Sequence, residues 1–260
     1  MDHKTFATGS PSPAEYSEAE WDARCELASA YRLFSHLGWH ELIYNHITLR
    51  VPDEPGYFLI NPFGLLYHEV RASNLVKIDI DGCIIGHSNH PVNPAGFIVH
   101  SAVHRAREDA HCVMHTHTTA GSAVACQSKG LLPLSFASFF YVDRVAYHDF
   151  EGITFDLGER DRLAADLGSK NAMILRNHGL LTCGASVADA FAELYHLQRA
   201  CEVQLAAQSS GARLHFPSSE IAARAAMQFD QSARQAGAQN ELLFGAMRRW
   251  MNEIAPETST

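Results

Sequence analysis

The 260-residue sequence lacks any apolar run long enough to span a bilayer, which requires about 20 consecutive apolar residues. It also lacks an apolar signal core near its start, where residues 1–16 are rich in Ser, Pro and Gly. We therefore expect a cytoplasmic protein without a membrane partner. The predicted organisation is a flexible leader over residues 1–16 and a single domain over residues 17–255, with a helical extension from about residue 210.

Paired cysteines and basic runs are also missing. No CxxC pair occurs among the six cysteines, which argues against a disulfide framework and against a thiolate zinc site. The balance of 20 basic and 29 acidic residues gives a net charge of -9, and the only basic run is the pair Arg248 and Arg249. Nucleic acid is therefore not an expected partner. The cysteines stand at positions 25, 83, 112, 126, 183 and 201.

Apolar residues recur at helical spacing in several segments, and some of these segments begin with a capping residue. Ser17 lies three residues before Glu20, the pattern of a capping box, and Ser186 opens another segment in the same way. Asn93 followed by Pro94 is also typical of a helix start. The predicted helices cover residues 17–38, 92–109, 118–127, 186–208, 218–235 and 240–254.

Strand-like runs lie between these helices. LVKIDIDGCIIG alternates around Asp81 and Gly82, a strong hairpin signal, and the short connections predict antiparallel pairing rather than repeated βαβ units. The other predicted strands are NHITLRV, GYFLINPFG, HCVMHTHT, RVAYHDFEG and NAMILRNHGLLTCG, the last interrupted by a turn at NHG.

Histidine is abundant, with 16 residues, and two of them end a predicted buried strand. His115 and His117 stand two positions apart in HCVMHTHT, so both imidazoles face the same side of that strand. His178, beside Gly179 at the break in NAMILRNHGLLTCG, is a candidate third ligand. Three neutral imidazoles leave a divalent metal an open position, as in catalytic sites. Spacing alone leaves open the alternative of three packed histidines.

The segment VMHTHT, followed about sixty residues later by RNHGLLTCG, resembles the metal-binding signature of the class II aldolase and adducin family. The likeness extends from about residue 20 to residue 210. It implies an α/β fold in three layers, with a central and mainly antiparallel sheet between helices, in agreement with the order of elements above. In family enzymes such as fuculose-phosphate aldolase the matching histidines hold zinc, so the resemblance assigns zinc to His115, His117 and His178, with Fe(II) and manganese as alternatives.

Other properties of the family concern assembly and partners. Its members are usually tetramers with the active site at a subunit boundary. The resemblance therefore implies a homo-oligomer, with a tetramer favoured, and a small-molecule substrate.

The same resemblance shows a difference. In sugar-phosphate aldolases a Ser-Ser-Glu segment begins the helix before the HxH strand, where the serines bind phosphate and the glutamate transfers protons. The corresponding residues here are Pro94, Ala95 and Gly96. Gly96 cannot move a proton on or off the carbon beside a carbonyl, so we expect a reaction other than sugar-phosphate aldol chemistry.

Two further positions are partly retained. Asn45 matches an asparagine that contacts phosphate in the aldolases, and Gly64 matches a glycine of their second phosphate loop. The neighbouring small residues are replaced by Tyr44 and Phe63, which fill space where a phosphate needs backbone donors. We therefore expect Asn45 and Gly64 to bind a substrate that is less polar than a sugar phosphate; the alternative is that both residues only form turns.

Two residues are candidates for the missing proton carrier. His100 lies four positions after Gly96, on the same helix face, and can serve as proton donor, fourth ligand or partner of a ligand. Packing within the helices is the alternative for His100. In family enzymes, residues of an adjacent subunit reach the pocket from the region that corresponds to SFASFFYVDRVAYHDFEG, and Tyr141 is the nearest hydroxyl there.

Three functions are compatible with these features. The first is a metal-dependent carbon-carbon lyase, either a decarboxylase or aldolase-like, acting on a small oxygenated acid, because decarboxylation needs no strong base to begin. The second is a non-haem Fe(II) oxygenase for hydroxyphenyl-type acids, a chemistry used by some family members. The third is a non-catalytic binding module like the adducin head, although adducin heads lack the metal histidines.

Overall fold

A seven-stranded mixed sheet forms the centre of the protein in a computed structural model that describes residues 15–152, 158–233 and 236–259. Its strands are β1 (His46–Arg50), β2 (Tyr57–Ile60), β3 (Val76–Asp79), β4 (Cys112–Thr116), β5 (Val145–His148), β6 (Ala172–Leu175) and β7 (Gly179–Gly184). They lie in the order β3, β2, β1, β4, β7, β6, β5. Every neighbouring pair is antiparallel except β5 and β6, which are parallel. The predicted α/β class with a mainly antiparallel sheet is confirmed.

Eight α-helices surround the sheet in the described parts of the chain. Short 3-10 turns at Tyr67–Glu69, Ala72–Asn74 and Pro256–Ser259 supplement them. The helices are α1 (Glu18–Leu37), α2 (Pro94–Ala106), α3 (Thr119–Ala125), α4 (Phe136–Phe139), α5 (Glu159–Leu167), α6 (Val187–Ser209), α7 (Ser219–Ala233) and α8 (Ala236–Ile254).

The alternation of buried strand residues assigns the helices to two faces of the sheet. Cys112 and Met114 of β4 belong to one apolar cluster, which also contains residues of α1, α3, α6 and α8. Val113, between them, belongs to a second cluster with residues of α2 and α5. Because successive strand side chains point to opposite faces, these two groups of helices cover opposite sides. The expected three-layer arrangement follows.

Side-chain caps begin the helices at several predicted positions. The Ser17 hydroxyl accepts a hydrogen bond from the Glu20 amide at 3.1 Å, and α1 ends at Gly38, which has a φ of 71°. The Glu20 carboxylate does not close a capping box, because it pairs with Arg24 and Lys77 instead. Asn93 precedes α2 without a side-chain cap bond.

The hairpin predicted at Asp81 and Gly82 is only partly formed. The chain turns there, but the returning segment joins β3 through one isolated bridge between Ile78 and Ile84 instead of a full strand. Strand β3 is the edge of the sheet, and Ile84 is 40% exposed, so little apolar burial stabilises a longer pairing.

Helix α5 is absent from the sequence-based expectation. Its segment is mostly polar and buries only a narrow apolar stripe, Leu163 and Leu167, together with Glu159. The helix forms the crossover between β5 and β6, which parallel pairing requires. Tertiary packing therefore decides a helix that periodicity alone does not predict.

The two ends of the chain relate differently to the predicted organisation. Residues 1–14 of the predicted leader lie outside the described residues. Helices α7 and α8 lie in the predicted C-terminal extension, and α8 packs its Phe244 against Phe191 of α6, with ring centroids 5.5 Å apart. None of the described helices is long and apolar enough to cross a membrane.

Candidate metal centre

The centre of the sheet sets the direction of the histidine side chains. Strand β4 pairs with β1 on one side and β7 on the other, so it has no free edge. His115 lies opposite His46 in this register, and both point toward the face that α2 covers, the face opposite Cys112 and Met114. His117 follows directly after β4, and its neighbour Thr118 caps α3 by accepting from the Gly121 amide at 3.2 Å.

The turn between β6 and β7 brings His178 to the same place. Asn177 has a φ of 57°, a left-handed conformation that reverses the chain just before His178. The Ser122 hydroxyl of α3 donates to the His178 carbonyl at 2.9 Å and holds the turn. A Cβ at residue 179 would lie within 3.0 Å of the Thr116 carbonyl oxygen, so only glycine allows β7 to approach β4 this closely.

The Nε2 atoms of the three histidines converge. They are separated by 2.7 Å between His115 and His117, 2.8 Å between His117 and His178, and 3.3 Å between His115 and His178. One nitrogen from each ring lies within 4.8 Å of the other two, a grouping compatible with one metal ion. The structure thus brings together the three residues that the sequence analysis proposes as ligands.

Hydrogen bonds at the opposite ring nitrogens orient two of these histidines. The Nδ1 of His115 lies 2.8 Å from the Leu180 carbonyl oxygen, and the Nδ1 of His117 lies 3.0 Å from Oε2 of Glu41. Since a carbonyl and a carboxylate oxygen accept hydrogen bonds, each Nδ1 carries the proton and each Nε2 keeps its lone pair. This is the arrangement of metal-binding histidines whose other nitrogen donates to an oxygen.

Burial also favours neutral imidazoles at this cluster. Removal from water lowers the pKa of all three histidines, and the pKa of His178 falls to about 4. The neighbouring imidazoles lower the pKa of His115 and His178 further, whereas Glu41 opposes the effect at His117. Unprotonated nitrogens that point at one another lack a donor between them, and a divalent cation is the species that such a donor set fits.

Glu41 belongs to a loop that the sequence analysis does not single out. The next residue, Leu42, has a φ of 49°, which is uncommon for a leucine. Leu42 and Tyr44 are exposed on this loop, and the exposed ring of Phe150 lies 6.3 Å from the ring of His178. Phe150 therefore places an apolar ring beside His178, and the loop that carries Glu41 exposes two further apolar side chains, Leu42 and Tyr44.

Among the described residues, His100 contacts His46 and bonds to none of the three histidines of the cluster. The Nε2 of His100 is 2.7 Å from Nδ1 of His46, whose ring centroid is 5.5 Å from that of His115. His100 is fully buried, and its other nitrogen bonds to Thr48 at 2.7 Å. His46 is not among the predicted site residues, although its position two residues before Thr48 in a strand places both side chains on the face that α2 covers.

The two predicted substrate-binding residues differ in their surroundings. Asn45 is 1% exposed, and neither Nδ2 nor Oδ1 has a hydrogen-bond partner among the described residues. Buried amides are normally paired, so this one is suited to a ligand. Gly64 is exposed and has a φ of 102°, a conformation that glycine adopts readily. This positive φ is a sufficient reason for glycine at residue 64, and no bound ligand is needed to explain it.

Tyr141 lies in the packing of another part of the molecule. Its buried hydroxyl donates to the Glu193 carbonyl oxygen at 2.6 Å and lies 3.3 Å from the Glu193 carboxylate. Its ring packs beside Phe140. Burial, followed by the neighbouring carboxylate, raises the pKa of Tyr141. These contacts join the segment that follows α4 to α6, so the hydroxyl is engaged within its own chain.

A mixed seven-stranded sheet between two helical layers, with three histidines converging beside its central strand, defines the class II aldolase fold. The family described as class II aldolase and adducin N-terminal domain matches residues 25–205, and the chain belongs to this family.

Several relatives agree with this assignment. A Pseudomonas aeruginosa protein with the provisional name aldolase class 2 protein PA3430 is 48% identical over 244 residues, 94% of each chain. Mouse alpha-adducin is 50% identical over 193 residues, which are 73% of this chain but 26% of that protein.

Two solved structures extend the likeness to the fold. An aldolase II superfamily protein from Pseudomonas syringae superposes with a TM-score of 0.88 at 46% identity, covering 95% of this chain and 98% of that one. The L-fuculose 1-phosphate aldolase from Glaciozyma antarctica superposes with a TM-score of 0.77 at 28% identity, covering 97% and 96%. The family expected from the histidine motifs is therefore confirmed.

Proposed function

We propose that this protein is a divalent-metal-dependent carbon-carbon lyase that acts on a small oxygenated acid rather than on a sugar phosphate. The observation that carries the proposal is the convergence of three Nε2 atoms, those of His115, His117 and His178, next to a helix whose residue 96 is glycine. The three converging nitrogens suit a divalent metal ion. With glycine at residue 96, the carboxylate that transfers protons in the aldol reaction is missing.

The chain's own residues suit a divalent metal as cofactor. His115, His117 and His178 would hold it, and Leu180 and Glu41 orient two of the three rings. The bound metal supplies a Lewis acid that stabilises negative charge on an oxygen beside the carbon where a bond breaks. We propose zinc, with Fe(II) and manganese as alternatives, because neutral imidazole suits zinc and iron, whereas manganese prefers oxygen ligands.

The substrate class follows from Asn45, which directly precedes His46, and from exposed apolar residues near Glu41 and His178. The buried amide of Asn45, which has no partner among the described residues, can donate to a carboxylate or carbonyl oxygen and accept from a hydroxyl. Phe150 lies beside His178, and Leu42 and Tyr44 are exposed on the loop that carries Glu41, so apolar surface is available for an organic acid with an apolar or aromatic part rather than for a phosphate. A 3-oxo acid or an ortho-hydroxy aromatic acid has oxygen atoms that can bond to Asn45 and an apolar part that can contact the apolar surface. We propose decarboxylation as the reaction of such an acid.

The names of the relatives support the lyase part of this proposal. The name of the Glaciozyma antarctica protein states an L-fuculose 1-phosphate aldolase, and the Pseudomonas aeruginosa relative has an aldolase class 2 name. Aldolases and decarboxylases share the cleavage of a carbon-carbon bond beside a carbonyl. We propose carbon-carbon bond cleavage for this protein as well, but we do not propose a sugar phosphate as its substrate.

A metal-exchange assay tests this function. Protein stripped of metal and reloaded with zinc is incubated with a panel of 3-oxo, 2-hydroxy and ortho-hydroxy aromatic acids, and release of carbon dioxide or aldehyde is measured. We expect release from at least one acid, dependence on added metal, and no turnover of fuculose 1-phosphate. His178→Ala is the inactive variant and the exposed His111→Ala is its matched control. Zinc-, manganese- and iron-loaded proteins inert on every acid would refute the proposal.

A non-catalytic binding module is the second candidate, and the 50% identity to mouse alpha-adducin favours it. Metal analysis after anaerobic purification separates the candidates. A stoichiometric metal with turnover supports the lyase, whereas absence of metal and of turnover supports the binding module. Stoichiometric iron, with oxygen consumed in the presence of a hydroxyphenyl acid, indicates the oxygenase instead.

We also propose that the protein is a homo-oligomer, with a tetramer favoured and the site at a subunit boundary. Large apolar side chains are exposed on helices α4, α7 and α8, namely Phe136, Met227 and Leu242. Light scattering of the purified protein measures the subunit number, and a monomeric mass at micromolar concentration would contradict this proposal.

A further inference from the structure

The ring of His46 occupies the space beside Gly96. A Cβ atom added to residue 96 would lie within 3.0 Å of both Cδ2 and Nε2 of His46, a separation that real Cβ atoms essentially never show. His46 is 4% exposed, so its ring has little room to move aside. A side chain at residue 96 and the imidazole at residue 46 are therefore mutually exclusive in this backbone arrangement.

A buried chain of hydrogen bonds holds His46 in this position. It runs from Nδ1 of His46 to Nε2 of His100 at 2.7 Å, from Nδ1 of His100 to the Thr48 hydroxyl at 2.7 Å, and from that hydroxyl to Nε2 of His104 at 2.8 Å. It ends where Nδ1 of His104 lies 3.0 Å from the carbonyl oxygen of Ala110. Strand β1 and helix α2 supply all four side chains.

The Ala110 carbonyl, at the end of this chain of hydrogen bonds, determines which atom is the donor in each bond. The Ala110 oxygen only accepts, so His104 donates from Nδ1 and must accept at Nε2 from the Thr48 hydroxyl. Thr48, having donated its single proton, accepts from Nδ1 of His100, and Nε2 of His100 accepts from Nδ1 of His46. The Nε2 of His46 is then left with a lone pair.

Neutral rings are required for this order, and burial provides them. Removal from water lowers the pKa of His100 and His104, the latter to about 3. All polar atoms of the chain between Ala110 and Nδ1 of His46 are then paired, as buried groups should be.

The ring centroid of His46 lies 5.5 Å from that of His115. We propose that His46 takes the place of a side chain at residue 96 and presents Nε2 as a hydrogen-bond acceptor for a substrate hydroxyl at the histidine cluster. Because Nδ1 of His46 donates to His100, the free Nε2 accepts the hydrogen bond of the hydroxyl and positions it. This inference rests on the proposed function for its ligand class, oxygenated acids that carry a hydroxyl, whereas the geometry at residues 46 and 96 stands without it.

Nitrogen-15 NMR of the histidine rings tests the order of protons, with the zinc-loaded protein and without any turnover. We expect His46, His100 and His104 all to carry the proton on Nδ1. In Thr48→Ala the link is lost, and His100 should show the other tautomer or a mixture. Thr182→Ala is the matched control, because the Thr182 hydroxyl of β7 donates to the Ala190 carbonyl oxygen and bonds to no histidine among the described residues. A proton on Nε2 of His46 in the parent protein would overturn the proposal.

A double-mutant cycle tests the shared space. Gly96→Ala alone should lower the thermal midpoint, whereas in a His46→Ala background it should be tolerated. If Gly96→Ala lowers the thermal midpoint equally in both backgrounds, the His46 ring does not occupy the space beside residue 96. That result would refute the proposal that His46 takes the place of a side chain there.

Two hydroxamates that differ by a single hydroxyl test the acceptor. Glycolohydroxamate carries the hydroxyl and acetohydroxamate lacks it, and both chelate zinc through the same group. We expect the parent protein to prefer glycolohydroxamate by about tenfold, the value of one good hydrogen bond, and His46→Leu to lose this preference while its zinc affinity stays unchanged. No preference in the parent protein, or no binding of either compound, refutes the acceptor. Failure of the lyase assay alone leaves these three results intact, so the two proposals fail separately.

Discussion

The carboxylate of Glu41 lies 3.0 Å from Nδ1 of His117, although 76 residues separate them in the chain. This contact holds the His117 ring with its Nε2 toward the other two histidines. Partners of this kind typically account for 10- to 100-fold in metal affinity, about 1.4 to 3 kcal/mol.

Substitution of Glu41 should therefore weaken metal binding in steps. We expect Glu41→Ala to weaken zinc binding by about 10- to 100-fold, and Glu41→Gln to weaken it less, because an amide oxygen still accepts from Nδ1. Calorimetric titration of the stripped protein measures both. Glu253→Gln, an exposed residue of α8, is the control and should bind like the parent. Equal affinities for Glu41→Ala and the parent would show that the contact does not orient His117.

Removal of one proposed ligand should have a larger effect. We expect His178→Ala to lose stoichiometric zinc at micromolar concentration, because two imidazoles leave the site half filled. His111→Ala removes an exposed histidine and should keep one zinc per chain. Elemental analysis after gel filtration gives the ratio. One zinc per chain retained by His178→Ala would contradict the three-histidine site.

Gly179 and Gly245 form a contrasting pair of glycines. A Cβ at residue 179 would meet the Thr116 carbonyl oxygen within 3.0 Å, whereas one at residue 245 meets only the end of Arg249, at 3.7 Å. We expect Gly179→Ala to lower the free energy of unfolding by about 1 to 3 kcal/mol, and Gly245→Ala, inside α8, to raise it by about 0.5 to 1 kcal/mol. Urea unfolding compares the two variants. If neither variant has a lower free energy of unfolding than the parent, then β7 accommodates a Cβ at residue 179 without loss of stability.

Asn45 should stabilise a ligand and not the fold. Because its amide is buried without a partner among the described residues, Asn45→Leu should leave the free energy of unfolding unchanged or higher and should weaken binding of oxygenated acids. Asn61 is its matched control, since its side-chain oxygen lies 2.9 Å from the Tyr31 hydroxyl. Asn61→Leu should cost about 1 to 3 kcal/mol. A comparable loss in Asn45→Leu would mean that Asn45 has a structural partner.

The stability of the metal-free protein should fall in acid, in part because of His104. Its pKa is about 3 in the folded state against 6.5 without burial, so between these values the unfolded chain binds a proton that the folded chain does not. Folding is thus disfavoured as pH falls from 6.5 toward 3, by at most about 1.4 kcal/mol per pH unit for this group. Arg50 and His111 act in the same direction, and the carbonyl of Ala110 opposes them.

Urea unfolding at several pH values measures this slope. His104→Gln should show a smaller decrease between pH 6.5 and pH 4.5 than the parent, and His68→Gln, which changes an exposed histidine, should keep the slope of the parent. Identical slopes for His104→Gln and the parent would contradict the burial of a neutral His104. The comparison uses slopes, so a uniform loss of stability in a variant does not affect it.

The three histidines could be predicted because local rules apply to each. Alternation in a strand places His115 and His117 on one side, and Gly179 marks the turn that carries His178. The family resemblance then joined the two segments, which spacing alone does not. The shared face of Gly96 and His100 was also predictable from helical periodicity.

Glu41 and His46 could not be found in this way. Glu41 reaches His117 through a loop in which Leu42 takes a left-handed conformation, and no local pattern predicts that. His46 lies beside His115 only because β1 and β4 pair in one particular register. The predicted role of His100 beside the metal depended on the same unknown register.

The sequence by itself determined the class of fold, the family and the set of imidazoles available to a metal, because alternation, capping and short motifs are local properties of the chain. Only the tertiary structure decided which side chain fills the space at Gly96, where the protons of the buried histidine chain lie and which carboxylate orients His117. These depend on strand register and on side-chain volume across the sheet, which are set when distant segments pack together.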